Sequence, residues 1–253
     1  IHDPIVNGLP RLVELPWREI DNILTSPDWV RIGTLRDPIA RSYSAWENRI
    51  FRRAPGETAR AIALCQDQMV EGRIDLAASF SLFSRMILEN MDSFMHDQHF
   101  LPQTHIVRTD AINYDMLIRI DKKGDMDRIS SLIADRAGSV ISPARLNEGM
   151  KVDLQRVCDQ PTADRIAAVY RMDYEAFGFQ KREFAPAVEP YLLSGAETQL
   201  VYQLRGVMER LLSVSQASTT QAGARYGFRQ IRKAIVRRTS SRNRYSDYRI
   251  LDS

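Results

Sequence analysis

Residues 30 to 46, VRIGTLRDPIARSYSAW, allow the chain one local course: a short strand, a sharp corner and a helix. Val30 to Leu35 alternates and is apolar enough for a buried strand. Asp37 is a helix-capping residue, and Pro38 follows at the first helical position, where a missing N–H costs nothing. A strand passing straight into a helix is the repeating unit of layered α/β folds, so this segment restricts the architecture more than any other.

The corner also carries chemistry. Arg36 sits at the junction, and Arg41 and Ser44 follow three residues apart, on one face of the new helix. Two guanidinium groups and a hydroxyl near a helix N-terminus suit a dianionic phosphate. A plain corner with solvated arginines has the same spacing, so the motif alone leaves both readings open.

The remaining pattern is rich in helix. The corner helix is expected over 38–52, and a second over 57–70 after a turn at Pro55 and Gly56. Leu76, Phe80, Phe83 and Ile87 mark a strongly amphipathic third helix, continued by the core residues Met91 and Phe94. Ile106-Val107 and Met116 to Ile120 read as short strands, and Asp125 as the cap of a helix bearing Ile129, Leu132 and Ile133. After a loop around Pro143, Thr162 is expected to cap a helix reaching Phe177, with Gly178 as its stop. Asp173 lies on that helix's apolar stripe with Ile166, Tyr170 and Phe177, so its carboxylate needs a partner. We expect a structural pair with a basic group there rather than a catalytic base.

Composition excludes several classes. No run approaches the roughly 18 apolar residues that span a bilayer, and no signal peptide is visible. Cys65 and Cys158 have no metal-ligand spacing, Cys65 shares a stripe with Ile62 and Met69 as a buried inert thiol, and no metal is expected. Sparse cysteine fits a reducing compartment such as a bacterial cytoplasm. From Ala224 to Ser253 nine Lys and Arg face two Asp, so the chain's net charge of +3 belongs to this tail and not to the domain. Phe228, Ile231 and Ile235 form a narrow apolar stripe among those cations, the pattern of a basic helix on an anionic membrane surface or polyanion. A solvated tail fits the same charges. Nucleic acid is not an expected partner, because no recognition fold accompanies Tyr226, Tyr245 and Tyr248.

Three segments together carry a family resemblance. Arg36, Asp37, Pro38, Arg41, Ser44 and Trp46 fall in order on R-D-P-x-x-R-x-x-S-x-Y/W, which resembles the 3′-phosphate motif of sulfotransferases. Those enzymes use 3′-phosphoadenosine 5′-phosphosulfate (PAPS). DQHFLPQ, from Asp97 to Gln103, is similar to D-x-H-W-x-P-Q of the carbohydrate branch, which includes the Golgi chondroitin and dermatan enzymes; Phe100 replaces the tryptophan. VYRMDYEAFGF, from Val169 to Phe179, is similar to that branch's closing Y-x-x-D-F/Y-x-x-F-G-F/Y.

The resemblance implies a P-loop-like α/β fold, with a central parallel sheet flanked by many helices. It implies that Arg36 and Ser44 grip the 3′-phosphate, with Arg41 beside them. His99 would take the acceptor proton, or His2, which lies where some relatives place their base; His96 and His105 match nothing. Gln103 would contact nucleotide or sugar. The family's Lys/Gly/Ser/Thr-rich phosphosulfate loop is not found, so the chain, opening at Ile1, is read as a piece that has lost it. The expected organisation is a sulfotransferase domain over 1–190, a helical extension over 191–223 that includes a helix from Leu200 to Val214, and the basic tail over 224–253. The expected activity is PAPS-dependent sulfation of a carbohydrate or glycolipid hydroxyl in polysaccharide biosynthesis, by a cytoplasmic, membrane-peripheral enzyme, or in the Golgi lumen if eukaryotic. The alternative is a non-catalytic anion-binding or membrane-surface scaffold; a kinase ranks lower because no P-loop or Mg²⁺ signature is present.

Overall fold

The computed structural model describes residues 12–53, 59–138, 149–211 and 213–214. Helix α1 (Trp17–Thr25) precedes strand β1 (Ile32–Leu35), and the corner at Arg36-Asp37 leads into α2 (Pro38–Ala45). The helix then continues as a π-helical turn, Trp46–Phe51. Next come α3 (Ala59–Leu64), a hairpin of β2 (Gln68–Val70) and β3 (Arg73–Asp75), and α4 (Leu76–Glu89). The chain goes on through α5 (Gln103–Val107), β4 (Met116–Arg119) and α6 (Lys123–Ala137). Helices α7 (Gln160–Val169) and α8 (Arg171–Phe177) follow. Contacts divide the chain after Tyr202. Residues 195–202 close the first unit as helix, and 203–211 and 213–214 of the second are helical.

Among the described residues the fold is mostly helical, 57% helix and 8% strand, which corrects the expected central parallel sheet. β1 pairs with β4 in parallel, Ile32 opposite Met116 and Leu35 opposite Arg119, and β2 pairs with β3 in antiparallel. These are the two sheets among the described residues, each of two strands. The strand-like runs are too few to build more. Ile106-Val107, expected as a strand, ends α5 instead, because a distant carboxylate captures the first N–H groups of that helix. The helix expected over 57–70 stops at Leu64, and Gln68–Val70 turns back on Arg73–Asp75 through Glu71-Gly72. The membrane expectation finds no spanning helix behind it: among the described residues no helix is long and apolar enough to cross a bilayer. The most apolar, α4, has 14 residues where a span needs about 20. The Pro55-Gly56 turn, the loop around Pro143 and the basic tail lie outside the described residues.

The caps that form are chemical, and two shift from their expected positions. Asp75 caps α4, accepting from the N–H groups of Ala77 and Ala78 at 3.0 and 3.2 Å. Asp159, not Thr162, caps α7, accepting from the N–H of Thr162 at 2.9 Å. Asp125 lies in the first turn of α6 and accepts from the N–H of Arg119 at 2.8 Å. Gly178 ends α8 with φ +63°, a left-handed backbone that glycine adopts without a Cβ clash.

The main core gathers α2, the π turn, α4 and α7. Trp46, Phe51, Phe80, Phe83, Phe94 and Phe100 are all fully buried, and their rings pack at centroid distances from 5.2 to 5.9 Å. Each such side chain contributes about 1.5–3 kcal/mol through removal from water. Both thiols pack in or on this core, and burial pushes each up to about 12, the shift of an unreactive cysteine.

Glu47, in the π turn, is buried at 4% exposure. Burial raises its proton affinity, against the opposing pull of the Met150 N–H, which donates to Oε1, and of Arg52. A Cβ at Gly149 would overlap this carboxylate. Gly149→Ala is therefore expected to destabilise the protein by about 1–3 kcal/mol through overpacking. Calorimetric melting checks this; an unchanged transition would mean that the Glu47 contact is loose.

Candidate functional site

The Arg36 corner is built by residues far away in sequence. Asp37 caps α2 as expected, its Oδ1 accepting from the Ala40 N–H at 2.9 Å. The main chain of Arg36 is held from both sides by the carboxamide of Gln103. The Arg36 N–H donates to Oε1 at 2.8 Å, and Nε2 donates to the Arg36 carbonyl at 2.9 Å. Gln103 in turn begins α5, whose preceding Pro102 offers no side-chain cap. Asp173 of α8 supplies one: its carboxylate accepts from the N–H groups of Gln103 at 2.8 Å and Thr104 at 2.9 Å. The partners of the fully buried Asp173 are thus two backbone amides and, at 3.5 Å, Nε2 of Gln103, where a basic group was expected. The Tyr170 hydroxyl donates to the Phe100 carbonyl at 2.9 Å and fixes the same segment.

The side chains of the corner face a different situation. Among the described residues, the Arg36 guanidinium has no hydrogen bond or ion pair. Arg41 has one hydrogen bond, from Nη2 to the Gln98 carbonyl at 3.1 Å, and lies 6.0 Å from the centroid of the Tyr170 ring. Burial lowers the proton affinity of both, opposed at Arg36 by the more distant charges of Asp121, Asp37 and Glu47. At Arg41, Tyr170 and Asp173 oppose it, while the positive charge of Arg36 lowers it further. Two like charges thus sit near each other, partly desolvated, with no carboxylate among the described residues bonded to either guanidinium. The half-buried Ser44 follows on the Arg41 face, its hydroxyl unpartnered among the described residues. Arg182 lies 3.7 Å from Asp37 and offsets the negative charge of the cap.

His99 lies in the same neighbourhood, one residue after Gln98, the residue that Arg41 holds. Its Nδ1 is 2.5 Å from Oδ1 of Asp97, and its backbone N–H donates to the same oxygen at 2.9 Å. The other oxygen of Asp97 accepts from Nε of Arg49 at 2.6 Å. Asp97 is buried and His99 is 37% exposed. Burial would raise the Asp97 carboxyl, but the hydrogen bonds from His99 and Arg49 hold it well below the usual carboxylate range.

The structure therefore ties Arg36 to Gln103, sets Arg41 near Arg36 and bonds it to the residue before His99, and carries Ser44 one turn after Arg41 on α2. It engages the Gln103 carboxamide with the main chain at residue 36, and His2 lies outside the described residues. His96 and His105 are exposed. Asp97 and Arg49 went unnoticed in the sequence, although the spacing of Asp97 and His99 inside DQHFLPQ permits a local pair. Arg49 on the corner helix gave no signal. Among the described residues, no three His, Cys, Asp or Glu side chains cluster as metal ligands.

A family model described as a sulfotransferase family matches residues 2–180. No curated protein and no solved structure matches the chain.

Proposed function

The chain belongs to the sulfotransferase family, and from this we propose that it moves the sulfuryl group of PAPS to a hydroxyl of a carbohydrate or glycolipid. One observation carries the reading: Arg36 and Arg41 are partly desolvated cations with no carboxylate bonded to them among the described residues, beside the N-terminus of an eight-residue helix. Such an arrangement is costly alone and is relieved by an anion. A nucleotide's 3′-phosphate fits it, with Arg36 and Ser44 as donors and Arg41 beside them. PAPS would supply the sulfuryl group and leave as adenosine 3′,5′-bisphosphate. His99, whose side chain is 37% exposed and whose Nδ1 is engaged by Asp97, would remove the proton of the attacking hydroxyl. The likeness of Asp97 to Gln103 to the carbohydrate branch supports a sugar acceptor.

Charge-assisted hydrogen bonds contribute about 1.5–3 kcal/mol each. Arg36→Ala is therefore expected to weaken adenosine 3′,5′-bisphosphate binding at least tenfold, read by isothermal calorimetry. Unchanged affinity would remove Arg36 from the site. Transfer of radiolabelled sulfuryl from PAPS to glycan acceptors, by the protein expressed from its full reading frame, tests the activity itself. Nucleotide binding without transfer would favour an anion-binding scaffold.

A further inference from the structure

Behind His99 lies a buried ion pair between Arg49 and Asp97. We propose that Arg49, Asp97 and His99 form a positioning relay: Arg49 fixes one oxygen of Asp97, the other oxygen holds the proton on Nδ1 of His99, and the lone pair of Nε2 is left for the acceptor hydroxyl. This rests on the reading of His99 as the base.

The geometry supports each link. Ionised carboxylates only accept hydrogen bonds, so the Asp97 oxygen 2.5 Å from Nδ1 requires a proton on that nitrogen. The neutral ring then carries no proton on Nε2, the form a general base needs. Orientation is fixed as well, because the same oxygen accepts the His99 backbone N–H at 2.9 Å, closing a short loop around the carboxylate. Arg49, at 2.6 Å from the second oxygen, prevents the carboxylate from rotating away and supplies its countercharge in a buried place. It comes from the π turn after α2, so the helix that starts at the anion corner also anchors the base. During transfer, the proton moves from the acceptor oxygen to Nε2, the oxygen–sulfur bond forms, and the sulfur–phosphate oxygen bond breaks. The imidazolium that results keeps its Nδ1 proton against Asp97. Asp97 and Arg49 touch no substrate in this scheme and act through the ring.

The test is histidine nitrogen NMR on the ¹⁵N-labelled full chain, at a pH where the ring is neutral, together with steady-state kinetics. The wild-type spectrum should show His99 as the Nδ1–H tautomer; an Nε2–H tautomer overturns the relay without any variant being made. Asp97→Asn can turn its amide so that NH₂ donates to Nδ1, which forces the proton onto Nε2. We expect the tautomer to switch and kcat to fall at least tenfold, with the acceptor KM within about twofold. Arg49→Lys, which keeps the charge, should stay closer to wild type than Arg49→Met. Unchanged kcat in folded Asp97→Asn overturns the proposal. The expected tautomers with no sulfuryl transfer in any form of the protein would uphold the relay's geometry and overturn the sulfuryl-transfer reading instead.

Discussion

Asp173→Ala should lower the melting temperature by on the order of 10 °C. The carboxylate is fully buried and accepts two backbone N–H groups at the start of α5. Alanine leaves both donors unpaired in a place without access to water, at about 1–3 kcal/mol each. For a domain of this size, each kcal/mol corresponds to roughly 2–4 °C. The damage should also travel, because Gln103, the first residue of that helix, holds the main chain at Arg36. Nucleotide affinity is thus expected to fall along with stability. Asp173→Asn keeps one acceptor oxygen and should recover part of both losses. A thermal melt of Asp173→Ala that superimposes on wild type would show that α5 needs no remote cap.

His99→Ala should cost about a hundredfold or more in turnover, the usual contribution of a positioned general base. Adenosine 3′,5′-bisphosphate affinity should hardly change, since His99 is tied to Asp97 and not to the Arg36 corner. The combination matters: a kcat loss with intact nucleotide binding separates proton removal from anion binding. Near-normal kcat with an altered acceptor KM would instead assign His99 to the walls of the acceptor cleft. Acceptor assays at saturating PAPS, paired with calorimetry, distinguish the two.

What could be read in advance was local. The Asp37-Pro38 corner follows from cap chemistry confined to four residues, and the α4 stripe from an unbroken 3.6-residue period. Gly178 announces its own left-handed backbone. The errors arise where a partner lies far off. Ile106-Val107 is β-branched and strand-like alone, yet it completes a helix whose start is secured 70 residues downstream. Asp159 and Thr162 are both cap residues by type, and the fold uses the earlier one, which keeps Thr162 inside α7. The large parallel sheet was expected from the strand–helix alternation and from the family resemblance alike; the described residues hold one parallel pair, β1 with β4. The candidate site divides in the same way. Arg36, Arg41 and Ser44 are legible on one short segment, whereas Arg49 and Asp97 are 48 residues apart and meet only in the folded chain.

The carboxamide grip on residue 36 has a practical reach. Gln103 engages only atoms that every amino acid but proline possesses, so the bend survives whatever side chain is placed there. Shape and charge at this position are consequently independent variables. A library of polar or acidic replacements at residue 36 should change which ions the corner attracts while the two Gln103 bonds to its main chain remain.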